Sequence, residues 1–175
     1  MKKSVIIALC GIISAMAIVV MLMAYFPYLT YALPALAGCL SIVLVIECGA
    51  KYAFLSYVVV AALGFLICEK EAWLFYTVFF GYYPIIKMFI EKINKRLPEW
   101  IIKLLVFNIA FTVFYFLSTY VLGISMDDFG AFGDFAVAIF FVCGNAMFIF
   151  YDIAFTGVIS MYYKKYHAKI RKLIK

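Results

Sequence analysis

Six long apolar segments fill the 175-residue chain, and the connections between them alternate between basic and acidic residues. A helix that crosses about 30 Å of hydrocarbon needs roughly 17 to 25 mostly apolar residues, and lipid offers its backbone no hydrogen bonds. The sequence therefore predicts an all-α membrane protein, folded as a compact bundle of six transmembrane helices in a single domain. The predicted spans are residues 4–26, 33–48, 52–68, 73–88, 100–122 and 135–163. Because the second, third and fourth segments are short, five crossings remain an alternative.

Basic residues occupy every second connection, which indicates how the chain is oriented. Lysine and arginine are retained on the cytoplasmic side of a membrane, so the basic segments share that side. We therefore predict a multi-pass protein of the plasma membrane, with both termini and a basic tail, residues 164–175, in the cytoplasm. Five crossings would break this alternation. The basic segments carry Lys2, Lys3, Lys51, Lys92, Lys95, Arg96, Lys164, Lys165, Lys169, Arg171, Lys172 and Lys175, and the predicted outer loops carry Glu69, Lys70, Glu71, Asp127, Asp128 and Asp134.

Composition excludes several functional classes. Apolar residues make up 69% of the chain and charged residues only 14%, which leaves too little polar surface to cover a soluble domain. The net charge of +6 is therefore explained by topology and by attraction to anionic lipid headgroups in the bilayer, and nucleic acid is not an expected partner. The basic tail suits a helix at the inner membrane surface, although a solvated tail is an alternative.

Sequence motifs of the common enzyme classes are missing. The chain contains no glycine-rich phosphate loop, no HExxH zinc motif and no GxSxG nucleophile elbow, and its one histidine, His167, falls in the basic tail. The five cysteines form no CxxC pair, so neither a disulfide framework nor a metal site is indicated. We therefore predict no catalytic residue, metal or cofactor.

Polar residues inside the predicted spans are few, and they are costly in lipid, which makes them candidate functional groups. Asn145 and Asp152 lie seven residues apart on one face of the sixth span, and Asn108 lies in the fifth. Lys87 is a plausible partner for Asp152, although it could instead extend to the membrane surface or pair with Glu91. For the asparagines, hydrogen bonding between helices is an equal alternative. An intramembrane enzyme would require a second titratable group beside Asp152 and a wet cavity.

Small residues form a stripe on the first predicted helix, where Ala8, Gly11, Ser14 and Ala15 recur at steps of three and four. Such a stripe lets another helix approach closely, and that helix can belong either to this chain or to a partner. Aromatic residues crowd the predicted outer side, where they form either an interfacial belt or the wall of a pocket for a flat solute.

Together these features resemble the S components of energy-coupling factor (ECF) transporters, the substrate-binding membrane subunits of that family. The segment Gly11–Ala15 is similar to the small-residue motif by which that family docks on its transmembrane partner. The aromatic loop Pro27–Pro34 resembles the first outer loop that covers the binding pocket. The segment Pro34–Gly38, the turn Cys48–Lys51 and the fourth helix, which contains Gly81 and ends at Lys92, are similar to the middle section of the family.

The resemblance implies a subunit that captures a vitamin or another micronutrient from outside. A transmembrane coupling subunit and cytoplasmic ATPases would then drive uptake, with docking through Ala8, Gly11 and Ala15. The alternative is a non-transporting membrane scaffold, sensor or assembly protein with a filled interior. No pattern identifies the solute. By position, the residues expected to line the pocket are Tyr28, Tyr31, Trp73, Tyr76, Tyr115, Thr119 and Asn145.

Overall fold

The computed structural model describes residues 3–26, 28–121 and 136–174, and this part of the chain contains helices and no strand. The outer-loop residues Asp127, Asp128 and Asp134 lie outside the described residues, as does Pro27. The α-helices are α1 (Lys3–Leu22), α2 (Ala32–Glu47), α3 (Ala50–Ile67), α4 (Lys70–Phe75), α5 (Tyr83–Ile90), α6 (Arg96–Phe116), α7 (Ala136–Lys165) and α8 (His167–Ile174).

Five helical segments of the described chain are long and apolar enough to cross a membrane, which indicates a helical, multi-pass membrane protein. The helix α2 is also apolar but has only 16 residues, or about 24 Å of length. The sixth crossing and the cytoplasmic placement of the termini therefore stay predictions. The five segments are Lys3–Tyr25, Ala50–Ile67, Lys70–Ile93, Arg96–Phe116 and Phe141–Lys165.

The fourth apolar segment is not one continuous α-helix. The helix α4 passes into a π-helical turn, Tyr76–Phe80, and the chain then bends at residues 81–82 before α5 begins. Pro84 lies in the first turn of α5, where the absence of a backbone N–H leaves no helical hydrogen bond unmade. The proline therefore starts a new helix after the bend.

The first three helices pack closely through small side chains. Ala17 and Met21 of α1 lie in one apolar cluster with Ala37 of α2 and Val60 of α3. Nearby, Ser14 and Ser56 share a hydrogen bond of 2.6 Å between their hydroxyl oxygens. Interfaces of this kind suit lipid, where helices associate through close packing and interhelical hydrogen bonds.

Aromatic side chains join α5, α6 and α7. The rings of Phe107 and Phe148 stack with centroids 4.6 Å apart, and the ring of Tyr83 meets that of Phe148 edge-on at 5.4 Å. Phe155 completes the group, since its centroid lies 5.8 Å from that of Tyr83. This aromatic layer borders the charged residues described below.

The end of α2, the end of α7 and the start of α8 meet at one end of the bundle. The Tyr162 hydroxyl donates to Glu47 Oε1 over 2.9 Å, and His167 Nδ1 lies 2.8 Å from the same oxygen. Residues 167–174 of the basic tail thus form α8, which contacts the bundle through His167.

Candidate functional site

Four charged side chains form a closed arrangement between α5, α6 and α7, which we call the charge ring: Lys87, Glu91, Lys103 and Asp152. Asp152 Oδ1 accepts from Lys87 Nζ, and its Oδ2 lies 3.0 Å from Lys103 Nζ. Glu91 Oε1 lies 2.8 Å from Lys87 Nζ and 3.4 Å from Lys103 Nζ. Because each carboxylate bridges both ammonium groups, positive and negative charges alternate around the ring.

The charge ring is largely enclosed by protein. Lys87, Lys103 and Asp152 are 0%, 2% and 3% exposed, whereas the side chain of Glu91 is 38% exposed. An isolated charge at such depth is costly, so the buried members need partners. Charge pairing is therefore a condition of their burial.

Neutral and charged neighbours complete the hydrogen bonds of the charge ring. Lys87 Nζ donates to Thr156 Oγ1 over 2.9 Å, and Lys103 Nζ donates to Glu99 Oε1 over 2.8 Å. The Tyr83 hydroxyl donates to Asp152 Oδ1. Lys103 Nζ thus has three acceptors, which matches its three N–H bonds, whereas Lys87 Nζ has two acceptors and an ion pair with Glu91.

Helical spacing explains why these side chains meet. Lys87 and Glu91 are four residues apart at the end of α5, and Glu99 and Lys103 have the same spacing in the first turns of α6. Asp152 faces both pairs from α7. Lys87 therefore contacts both of the partners that the sequence offers for it, which are Asp152 and Glu91.

Lys103, Glu99 and Tyr83 were not selected from the sequence. The available signal for Lys103 is its position inside an apolar segment, four residues after Glu99. The same argument from intramembrane cost that selects Asp152 applies to this lysine. Tyr83 stands beside Pro84 inside the fourth predicted span, but no spacing pattern indicates that its hydroxyl meets Asp152.

The charge ring gives Asp152 partners but little freedom to react. Both of its oxygens are engaged, and its side chain is enclosed. A general base must instead reach the proton of a bound molecule within hydrogen-bond distance. The geometry instead holds Asp152 in ion pairs with two lysines.

Asn108 and Asn145 bind each other. Each side-chain amide nitrogen donates to the other side-chain oxygen over 3.0 Å. The second amide hydrogen goes to a backbone carbonyl four residues earlier, Leu104 O for Asn108 and Phe141 O for Asn145. This reciprocal pair uses all four amide hydrogens, so it fastens α6 to α7.

The aromatic residues expected to line a pocket occupy different environments. Tyr28 is 97% exposed, and Tyr31 packs edge-on against Phe75. Trp73 Nε1 donates to Ala61 O over 2.8 Å. The Trp73 side chain packs against the apolar cluster that contains the fully buried Tyr76.

The polar residues of that lining on the fifth span lie elsewhere. The side chain of Tyr115 is exposed beside Phe116, and that of Thr119 lies outside the described residues. Trp73 thus packs against the cluster that contains Tyr76, and Asn145 forms hydrogen bonds with Asn108. The pocket lining stays a prediction.

An apolar groove of about 530 Å³ lies on the surface beside α3 and α4. Its walls include Tyr57, Ala61, Phe65, Leu66 and Trp73. Trp73 is the one wall residue that belongs to the expected pocket lining. Because the groove is open and apolar, it resembles the lipid-facing surface of a membrane helix more than a polar solute site.

The small residues of α1 divide between two faces. Ala8, Gly11 and Ala15 are exposed, and a Cβ atom placed on Gly11 would meet no atom within 4 Å. Ser14 instead points inward to Ser56. The three residues expected to dock a partner therefore face away from the bundle.

Comparisons of the chain with protein-family models, with curated proteins and with solved structures find no match. Among residues 3–26, 28–121 and 136–174, no group of three or more His, Cys, Asp or Glu side chains suits a metal ion. The functional argument therefore depends on the geometry of the chain itself.

Proposed function

We propose that this protein is the substrate-binding subunit of an ECF-type transporter, which captures a vitamin or another micronutrient outside the cell. A transmembrane coupling subunit and cytoplasmic ATPases would supply the energy for uptake. The observation that carries the proposal is the outward face of α1, formed by Ala8, Gly11 and Ala15.

The outward face of α1 is distinct from the face that holds the bundle together. Ser14, Ala17 and Met21 pack toward α2 and α3, whereas the outward face contacts no side chain at Gly11. In lipid, a row of small residues lets a second backbone approach closely and gain van der Waals contact. Since that row is turned away from its own bundle, a helix of another subunit is a suitable occupant.

A subunit that binds substrate and leaves ATP hydrolysis to its partners fits the sequence. A subunit that only binds substrate needs no nucleotide site, and the chain contains no glycine-rich phosphate loop. The five long apolar helical segments of the described chain support a membrane location for the binding subunit.

A non-transporting scaffold, sensor or assembly protein is the second candidate. The reciprocal bonds between Asn108 and Asn145 favour it, because they leave neither amide free for a solute. The internal hydrogen bonds of the charge ring point the same way. The two candidates differ in whether the protein retains a small molecule and whether α1 binds a coupling subunit.

Docking through α1 is tested by the double variant Gly11→Leu/Ala15→Leu. We expect it to weaken association with the coupling subunit at least about tenfold, equivalent to about 1.4 kcal/mol, because the added side chains separate the two helices. The variant should still fold, since the outward face has open space at Gly11. Co-purification of the tagged chain with the coupling subunit, together with uptake by cells, measures the effect.

Gly157→Leu is the matched control. Gly157 is also exposed on its helix, α7, and a Cβ atom there meets nothing within 4 Å. This variant should associate and transport as the wild type does. Equal co-purification and uptake for the α1 variant and the control would exclude docking through the outward face.

A further inference from the structure

Glu91 differs from the other members of the charge ring because its carboxylate can move away from the two lysines. Its side chain is 38% exposed, and it begins the short 3₁₀ segment Glu91–Ile93 at the end of α5. The next residue, Asn94, has a left-handed backbone with φ of 57°, so the helix ends there. Rotation of the Glu91 side chain toward solvent would therefore leave α5 intact.

The two lysines keep their partners without Glu91. Lys87 Nζ retains Asp152 Oδ1 and Thr156 Oγ1, and Lys103 Nζ retains Asp152 Oδ2 and Glu99 Oε1. Two lysines then face two carboxylates, which leaves that group neutral. Glu91 is thus the exchangeable anion, and its carboxylate occupies a position that two ammonium groups share.

The surroundings of Glu91 suit a phospholipid. The exposed side chains of Lys92, Lys95 and Arg96 follow it between the end of α5 and the first residue of α6, and they would attract an anionic headgroup. Exposed apolar side chains lie in the same stretch, with Phe89 53% and Leu97 80% exposed. Basic pockets between transmembrane helices at a membrane surface are typical sites for anionic headgroups.

We propose that the position of the Glu91 carboxylate is a binding site for the phosphate group of an anionic phospholipid. Lys87 and Lys103 would donate to the phosphate oxygens, while the acyl chains would lie along the apolar surface near Phe89 and Leu97. Glu91 acts as a built-in competitor that fills the site when no lipid is bound. This site is independent of the proposed transport role, because it needs neither a solute nor a coupling subunit.

The test compares lipid binding by the wild type and by Glu91→Asp, each purified in a mild detergent. The shorter aspartate keeps the charge but withdraws the carboxylate from the lysines. We expect it to bind short-chain phosphatidylglycerol about tenfold more tightly than the wild type does. Affinity is read from the rise of Tm with lipid concentration, which at saturation should reach roughly 4 °C or more. Phosphatidylcholine should raise the Tm much less.

Two further variants distinguish competition by the Glu91 carboxylate from the effect of a change in net charge. Glu91→Gln should also bind phosphatidylglycerol more tightly, because a neutral amide competes poorly for two ammonium groups. Glu71→Gln changes the net charge equally but lies at the start of α4, so its affinity should match that of the wild type. If neither Glu91 variant binds phosphatidylglycerol more tightly than Glu71→Gln does, the proposed site is wrong.

Inorganic phosphate distinguishes a lipid from a free anion. At matched ionic strength, we expect inorganic phosphate to stabilise the Glu91 variants only at concentrations far above those needed for phosphatidylglycerol, because it lacks the acyl chains. Equal potency of the two compounds would overturn the assignment to a lipid.

Discussion

Asp152→Asn is expected to lower the free energy of unfolding by about 3 to 5 kcal/mol, the largest effect that we anticipate from a single side chain. Asp152 is the member of the charge ring that engages both lysines from within the bundle. An asparagine would keep the shape but remove the charge, and one amide hydrogen would face an ammonium group. Lys87 would then be left with Glu91 and Thr156, both closer to the surface. Circular dichroism during denaturation in detergent measures the loss.

A double variant provides the control for Asp152. Replacing a complete buried pair by apolar side chains of similar size is often neutral, so Lys87→Met/Asp152→Leu should cost less than the two single substitutions together. Lys103 keeps Glu99 in this variant. A loss below about 1 kcal/mol for Asp152→Asn, or strictly additive losses, would show that the charges are not energetically coupled.

Gly38→Ala is expected to cost about 3 kcal/mol of stability, because its methyl group would collide with backbone. A Cβ atom on Gly38 would lie 2.6 Å from the carbonyl oxygen of Phe80, which ends the π-helical turn. A backbone carbonyl cannot rotate away as a side chain can. The helix α2 would therefore have to separate from the broken fourth segment. Thermal unfolding in detergent checks this expectation.

Gly157→Ala serves as the comparison for Gly38. A methyl group on Gly157 meets open space, and alanine favours a helix over glycine by roughly 0.5 to 1 kcal/mol. The Tm of this variant should stay the same or rise slightly. Equal Tm values for the alanine variants of Gly38 and Gly157 would contradict the close contact between Gly38 and Phe80.

Apolar length allowed much of the fold to be predicted. Five of the six apolar segments correspond to helical segments long enough to cross a membrane, because apolar length is the dominant constraint in lipid. The bend in the fourth segment comes just before Pro84, since proline cannot continue a helix from its preceding turn. The short α2 shows where length alone is insufficient, because a helix of 16 residues can tilt or pack without reaching both surfaces.

The partners of individual side chains were harder to predict. Spacing placed Asn145 and Asp152 on one face of α7 but could not show that the first meets Asn108 and the second meets Lys103. Those contacts depend on helix rotation and depth, which the linear pattern does not contain. The small residues of α1 illustrate the same limit, because Ser14 and Gly11 look equivalent in sequence, but Ser14 is buried against Ser56 whereas Gly11 is exposed.

Native mass spectrometry of the purified chain is the most direct test of the proposed transport role. We expect one non-lipid small molecule per chain, retained through purification and released on denaturation, because a subunit that captures a scarce nutrient must bind it tightly. Adding that compound back should raise the Tm of the emptied protein. A chain that carries only lipid and detergent, and that no vitamin or related micronutrient stabilises, would contradict the binding role and favour a scaffold.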